Sequence, residues 1–99
     1  MKLQMHSVHF DVDVKLTDFV QKKVDKLDKL YDRIIDGEVF FRLENMDSKN
    51  NKIVEIKLNI PGSQLFAKVH SNTFEEATDS AVEALRRQLM KFKEKQTAH

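Results

Sequence analysis

Hydrophobic and polar positions alternate in several short stretches of the chain and recur at helical spacing in two long ones. From Lys2 to His9, Leu3 and Met5 fall on one side and Gln4 and His6 on the other, the period-two pattern of a half-buried strand. From about Val14 to Ile35, Leu16, Phe19, Val20, Val24, Leu27, Tyr31 and Ile34 recur at helical spacing behind Asp13, whose carboxylate suits an N-cap. Val39, Phe41 and Leu43 then alternate with Phe40, Arg42 and Glu44. Val54, Ile56, Leu58 and Ile60 alternate with Glu55, Lys57 and Asn59, and Leu65, Ala67 and Val69 with Phe66, Lys68 and His70. Each of these stretches predicts a strand. A second helix follows: Asn72 and Thr73 precede Glu75 and Glu76 at capping-box spacing, ahead of Phe74, Ala77, Ala81, Leu85, Leu89 and Phe92. It should reach roughly Lys95.

The punctuation between elements is sparse. Gly37 is placed as a left-handed residue just past a helix would be, which puts the first helix end near Ile35. Pro61-Gly62 has the order of a type II turn and predicts a hairpin. The polar run Asp47, Ser48, Lys49, Asn50 and Asn51 predicts a connection. The resulting order is β-α-β-β-β-α. Because each strand has one apolar face, both helices must cover that face, giving an α/β (α+β) two-layer sandwich: a four-stranded sheet with two helices packed on one face. The first two strands should pair in parallel through a right-handed crossover, and the last three should form an antiparallel meander. The opposite sheet face should stay wet.

Composition narrows the class. A chain of 99 residues is one domain's worth, which excludes a multidomain enzyme, and residues 1–99 read as a single domain. No long uncharged apolar run predicts a membrane span, and Met1 to Phe10 has neither the charge nor the apolar stretch of a leader. The absence of Cys removes disulfides, thiolate metal sites and thiol catalysis together, so a cytoplasmic location is the compatible expectation. Seventeen Lys and Arg stand against sixteen Asp and Glu, for a formal net charge of +1. As a sum, that balance argues against nucleic acid; by position it argues the reverse.

On a helical wheel of the first helix, Lys15, Lys22, Lys26, Lys29 and Arg33 fall along one flank of the apolar stripe with Lys23 nearby, and Asp18, Asp25, Asp28 and Asp32 fall on the other. Lys22 with Lys26 and Lys29 with Arg33 are like-charged pairs at i, i+4, each expected to cost about 0.2 to 0.5 kcal/mol. The plainer account is a solvated face supported by Asp18 with Lys22 and Asp25 with Lys29. The second helix sorts charge along its length, from Glu75, Glu76, Asp79 and Glu83 to Arg86, Arg87, Lys91, Lys93 and Lys95 against Glu94. Dipole matching accounts for Lys93 and Lys95 better than for the two arginines, which sit about two turns inside. Side by side, the helices should present a basic flank and a basic end together, a surface that tracks phosphates without reading sequence. Structured RNA fits better than DNA, because no helix carries side chains arranged to read a major groove.

Other chemistry is thin. His6 and His70 are expected on the open sheet face, His9 closes the first strand and His99 ends the chain, with no metal-binding spacing among them. Phe40 and Phe66 on that face suit base stacking, a cross-strand apolar pair or a partner-binding patch. No catalytic constellation or phosphate loop is present, so no enzyme, catalytic residue, metal or cofactor is expected.

With these residues in place, the sequence resembles the hibernation-promoting factor and ribosome-associated inhibitor family of bacteria, from Met1 to about Gln96. Leu27 to Ile34 (LDKLYDRI) is similar to the family's L-x-x-x-[YF]-D-R-I helix ending, and Leu85 to Lys95 (LRRQLMKFKEK) to its R-Q-L-x-K-x-K-x-K helix end. The resemblance implies the β-α-β-β-β-α fold and binding to the small (30S) ribosomal subunit and its 16S rRNA, in the channel between head and body. Occupying tRNA and mRNA positions there would inhibit translation in stationary phase or stress. It carries Lys23, Lys26, Arg33, Arg87, Lys91, Lys93 and Lys95 onto basic family positions, while Lys22, Lys29 and Arg86 join them from the wheel and local charge. The chain resembles the short form, without the C-terminal domain that pairs ribosomes, a form that in some bacteria works with a separate ribosome modulation factor and is expected to be monomeric off the ribosome. The connection from Pro61 to Gln64 looks longer than in some relatives. The alternative is a protein-interaction regulator of the sigma-factor modulation type, acting through the open sheet face.

Overall fold

The computed structural model describes residues 1–44 and 51–97, in the order β1 (Leu3–Ser7), α1 (Val14–Leu30), β2 (Asp36–Leu43), β3 (Lys52–Ile60), β4 (Ser63–Ser71) and α2 (Phe74–Thr97). The strands lie in the order β1-β2-β3-β4. β1 pairs with β2 in parallel, and β2 with β3 and β3 with β4 are antiparallel. The hairpin falls where Pro61-Gly62 places it: Ile60 pairs with Ser63, and Gly62 takes φ +76°, as the second central residue of a type II turn requires.

One face of the sheet is apolar because the pleat sends alternate side chains to opposite sides. Val39, Phe41, Val54, Ile56, Leu58, Ile60 and Ala67 point into the same core as Val20, Val24 and Leu27 of α1 and Ala77, Ala81, Leu85 and Leu89 of α2. Small Ala77 and Ala81 let the start of α2 lie close on the sheet. Phe74 closes the end of the core, stacked on Phe10 at 5.4 Å and edge-on to Phe41 at 5.6 Å. Asp13 caps α1 by accepting from the Lys15 N–H at 2.7 Å. Thr73 caps α2 by accepting from the Glu76 N–H at 3.0 Å, while Glu76 receives the Ser71 hydroxyl at 2.9 Å.

The first helix ends earlier than its periodicity implies. Tyr31, not Ile35, is the C-cap, in an extended conformation with its N–H still bonded to the Leu27 carbonyl. Tyr31 stays in the core, edge-on to Phe92 at 5.8 Å, but the chain must turn back to the sheet, and the Ile35 N–H already donates to the Asn59 carbonyl at 2.8 Å. Ile34 keeps helical spacing without being helical, and Arg33 sits in this connection rather than on a helix. Gly37 is not a left-handed cap. It lies within β2, where an added Cβ would meet Leu3 Cδ2 at 2.8 Å, Leu58 Cδ2 at 2.9 Å and the Lys57 carbonyl at 3.0 Å, so its role is close approach between neighbouring strands. His9 does not close a strand either: β1 stops at Ser7, and His9 takes φ +67° in the connection to α1. The connection expected from Asp47 to Asn50 lies outside the described residues, as does His99. Asn51 is described and buried, its carbonyl accepting from the Glu44 N–H at 3.0 Å.

Two stability outcomes are expected. Phe41→Ala should cost about 3 to 5 kcal/mol in urea unfolding, because it empties the core, whereas Phe66→Ala on the opposite face should stay within about 0.5 kcal/mol. Tyr31→Phe should unfold at an equal or higher urea midpoint, because the buried Tyr31 hydroxyl has no hydrogen-bond partner among the described residues.

Candidate nucleic-acid interface

α1 and α2 run in the same direction across the sheet, and the side chains on their facing flanks form a groove. α1 supplies Lys23, Lys26, Leu27 and Leu30, and α2 supplies Asp79, Val82, Glu83 and Arg86. The leucines and Val82 make the floor, and the charged groups form the rim. Beyond Leu30 the groove continues to Met90, Lys93 and Glu94.

The cations proposed from sequence fall into separate groups here. Lys23, Lys26 and Arg86 rim the groove itself. Lys23 Nζ lies 3.1 Å from Asp79 Oδ1 and 5.4 Å from the Phe19 ring centroid. Arg86 grips Glu83 as a fork, Nη2 to Oε1 at 2.7 Å and Nε to Oε2 at 3.0 Å. That hydrogen bonding holds the Glu83 carboxyl below its ordinary range and raises the Arg86 guanidinium. Lys93 crosses to the end of α1, where its Nζ donates to the Leu30 carbonyl at 2.8 Å, so one basic residue is tied to the negative end of the neighbouring helix. Lys22 and Lys29 lie on the outer side of α1. Arg87 is turned about 100° from Arg86 around the helix axis. It and Lys91 lie outside the groove lining, while Gln88 bonds the Phe66 carbonyl of β4 at 2.9 Å. Lys22, Lys26, Lys29, Arg33, Arg87, Lys91 and Lys95 are all exposed and form no ion pair among the described residues.

The acidic flank of α1 has a partner that sequence reasoning missed. The Met1 α-ammonium bonds Asp28 Oδ2 at 2.5 Å and Asp25 Oδ1 at 3.3 Å, and Gln21 Nε2 donates to Asp25 at 2.8 Å and to the Met1 carbonyl at 3.1 Å. Asp25 is thus turned towards the chain start rather than towards Lys29. Charge sorting was legible on a wheel, but a contact between residues so distant in sequence was not. The same holds for Lys23 with Asp79, whereas Glu83 with Arg86 shows the i, i+3 spacing that gives it away.

The opposite sheet face is largely satisfied from within. His6 stacks on Phe40 at 4.9 Å and 20°, and Arg42 and Lys57 approach the same ring at 5.5 and 5.4 Å. Arg42 and Lys68 reach Glu55 at 3.1 and 4.0 Å, His6 reaches Glu38 at 3.2 Å, and His70 reaches Glu44 at 3.0 Å. Ile53, opposite Arg42 and His70 in the register, is only 4% exposed despite facing this side. Phe40 is therefore covered by its neighbours, and Phe66, 44% exposed, is the open ring. Among the described residues, no group of His, Asp and Glu is placed to hold a metal ion, and no helix is long and apolar enough to cross a membrane.

The fold is that of an α/β domain shared with a ribosomal subunit interface protein from Coxiella burnetii, which superposes with a TM-score of 0.83 at 27% identity, over 94% of this chain and 98% of the other. The chain belongs to the family described as Sigma 54 modulation protein / S30EA ribosomal protein, which it matches over residues 3–97. Among its relatives is the ribosome hibernation promoting factor of Pseudomonas putida, 31% identical over 97% of this chain and 90% of that protein. The ribosome hibernation promotion factor of Bacillus subtilis is 30% identical over 96% of this chain but only 50% of its own length. The N-terminal domain of Thermus thermophilus Protein Y shares the fold, with a TM-score of 0.80 over 93% of this chain and 99% of the other at 24% identity.

The N-terminal clamp makes a pH dependence. Hydrogen bonding to Asp28 is the largest cause raising the Met1 ammonium above its ordinary value of 8.0, with Asp25 adding to it and burial opposing it. A group raised on folding contributes its stability fully below the unfolded value and loses it as pH rises through the folded one. Urea midpoints should therefore fall above pH 8 in the wild type, and Asp28→Asn should flatten that alkaline decline.

Proposed function

We propose that the protein is a ribosome hibernation factor that binds the small ribosomal subunit through its helical layer and inhibits translation by occupying tRNA and mRNA positions. It acts by occupancy, without catalysis, as a single cytoplasmic domain that contacts 16S rRNA. The observation that carries this reading is the nearly full-length match to ribosome hibernation promoting factors, on a fold whose helices and the turn after α1 hold eight exposed cations, Lys15 among them, that form no ion pair among the described residues. Phosphate contacts of this kind release counterions and need no base readout. Lys29 stands in the last turn of α1 and Arg33 in the connection just after it, by that helix's negatively polarised end, so their charge is supported by the fold as well as available to a ligand. A partner modulation factor and a monomeric state off the ribosome complete the reading. A regulator working through the sheet face is less well supported, because Phe40 and most charges there already have partners.

Sedimentation of stationary-phase lysate tests this directly: the protein should comigrate with small subunits or whole ribosomes, and material that stays wholly at the top of the gradient would sink the reading. Changing Lys26, Arg33, Arg87 and Lys91 together to Glu should release it while leaving its thermal unfolding nearly unchanged. With roughly six phosphate contacts, affinity should fall about a thousandfold between 50 and 200 mM salt, and each lost contact should reduce the salt slope by about one.

A further inference from the structure

The groove between the helices is not simply basic. Asp79 and Glu83 rise into its rim from α2 and occupy two of its three cations, Lys23 and Arg86, leaving Lys26 without an ion pair among the described residues. Outside the groove the pattern reverses, and Lys22, Lys29, Arg33, Arg87, Lys91 and Lys95 have no carboxylate in ion-pair contact among the described residues. The helix dipole does not call for acids at these places, although Glu83 gains a little from its i, i+3 pairing with Arg86. The dipole rewards them in the first turn, where Glu75 and Glu76 stand, whereas Asp79 lies in the second turn and Glu83 in the third.

We propose that Asp79 and Glu83 are specificity-determining residues of the RNA site, internal counter-ions that hold Lys23 and Arg86 and withhold them from flexible strands, leaving the site to RNA rigid enough to be held by the cations outside the groove. The inference rests on the reading of the helical layer as the ribosome-facing surface. A phosphate entering the groove exchanges one ion pair for another and leaves the released carboxylate beside it, a like-charge contact that opposes binding. A flexible single strand gains little from that exchange. A folded RNA is held mainly by Lys22, Lys29 and the cations at the helix ends, all outside the groove, and so depends little on that exchange. The acids thus subtract more from a strand that must seek its phosphate contacts in the groove than from a folded RNA held from outside it, and the fork between Glu83 and Arg86 gives that difference a fixed geometry.

The test compares affinities of the full chain for purified small subunits and for polyuridine at one salt concentration. The wild type should bind subunits and hold polyuridine poorly. Asp79→Asn with Glu83→Gln should tighten polyuridine binding about tenfold and subunit binding no more than about threefold, narrowing the discrimination by about threefold or more. Glu83→Asp, which keeps the charge, should stay near wild type. Asp18→Asn with Asp32→Asn removes the same charge away from the groove and should leave both affinities within about twofold. Thermal unfolding of each variant confirms that exposed positions were changed without loss of fold. The proposal is overturned if the groove variant leaves the ratio unchanged, or if the Asp18 and Asp32 variant narrows it equally. Wild-type protein that fails to bind subunits at all would instead overturn the ribosomal reading, and the inference with it.

Discussion

Because β1 and β2 run parallel while β2, β3 and β4 alternate, the two helices must cross the sheet in the same direction. α1 returns the chain from β1 to the start of β2, and α2 leaves from the end of β4, which two antiparallel steps have aligned with β2. The contacts follow this alignment, with Lys23 against Asp79 and, further along both helices, Tyr31 against Phe92. The arrangement is forced by burial: each strand has one apolar face, and only helices lying on that face can cover it.

Parallel helices bring like ends of their dipoles together, which is unfavourable unless the ends are compensated. Here compensation is shared between elements. Lys93 of α2 donates to the Leu30 carbonyl of α1, and Arg33, Lys91 and Lys95 lie near the two C-termini. Charges that settle the fold and charges available to a phosphate backbone are therefore drawn from one local excess. The near-zero total conceals it, because the balancing acids lie along the α1 flank beside Met1, on the sheet face and within the groove.

Element order, strand pairing, the hairpin at Pro61-Gly62 and the capped starts of both helices were legible in the sequence, since each depends on local periodicity or turn chemistry. The end of α1 was not. Tyr31 and Ile34 continue the helical spacing although the backbone has already turned, and what stops the helix is the pull of the Asn59 carbonyl on Ile35, a contact between distant residues. Gly37 shows the same limit: a glycine after a helical run fits a left-handed cap on local grounds, and only the neighbouring Leu3 and Leu58 reveal that it is there for space. For the candidate site, the wheel separated the signs of α1 correctly. It could not show that Asp25 turns to Met1, or that Lys23 is already engaged by Asp79.

The ammonium of Met1, held between Asp25 and Asp28, also bears on how the molecule is handled. Any peptide bond formed at that nitrogen turns a cation into a neutral amide and leaves two half-buried carboxylates facing each other without it. An N-terminal affinity tag would therefore alter α1 itself, on the helix that carries half of the candidate interface. A purification handle placed after α2 leaves that charge intact.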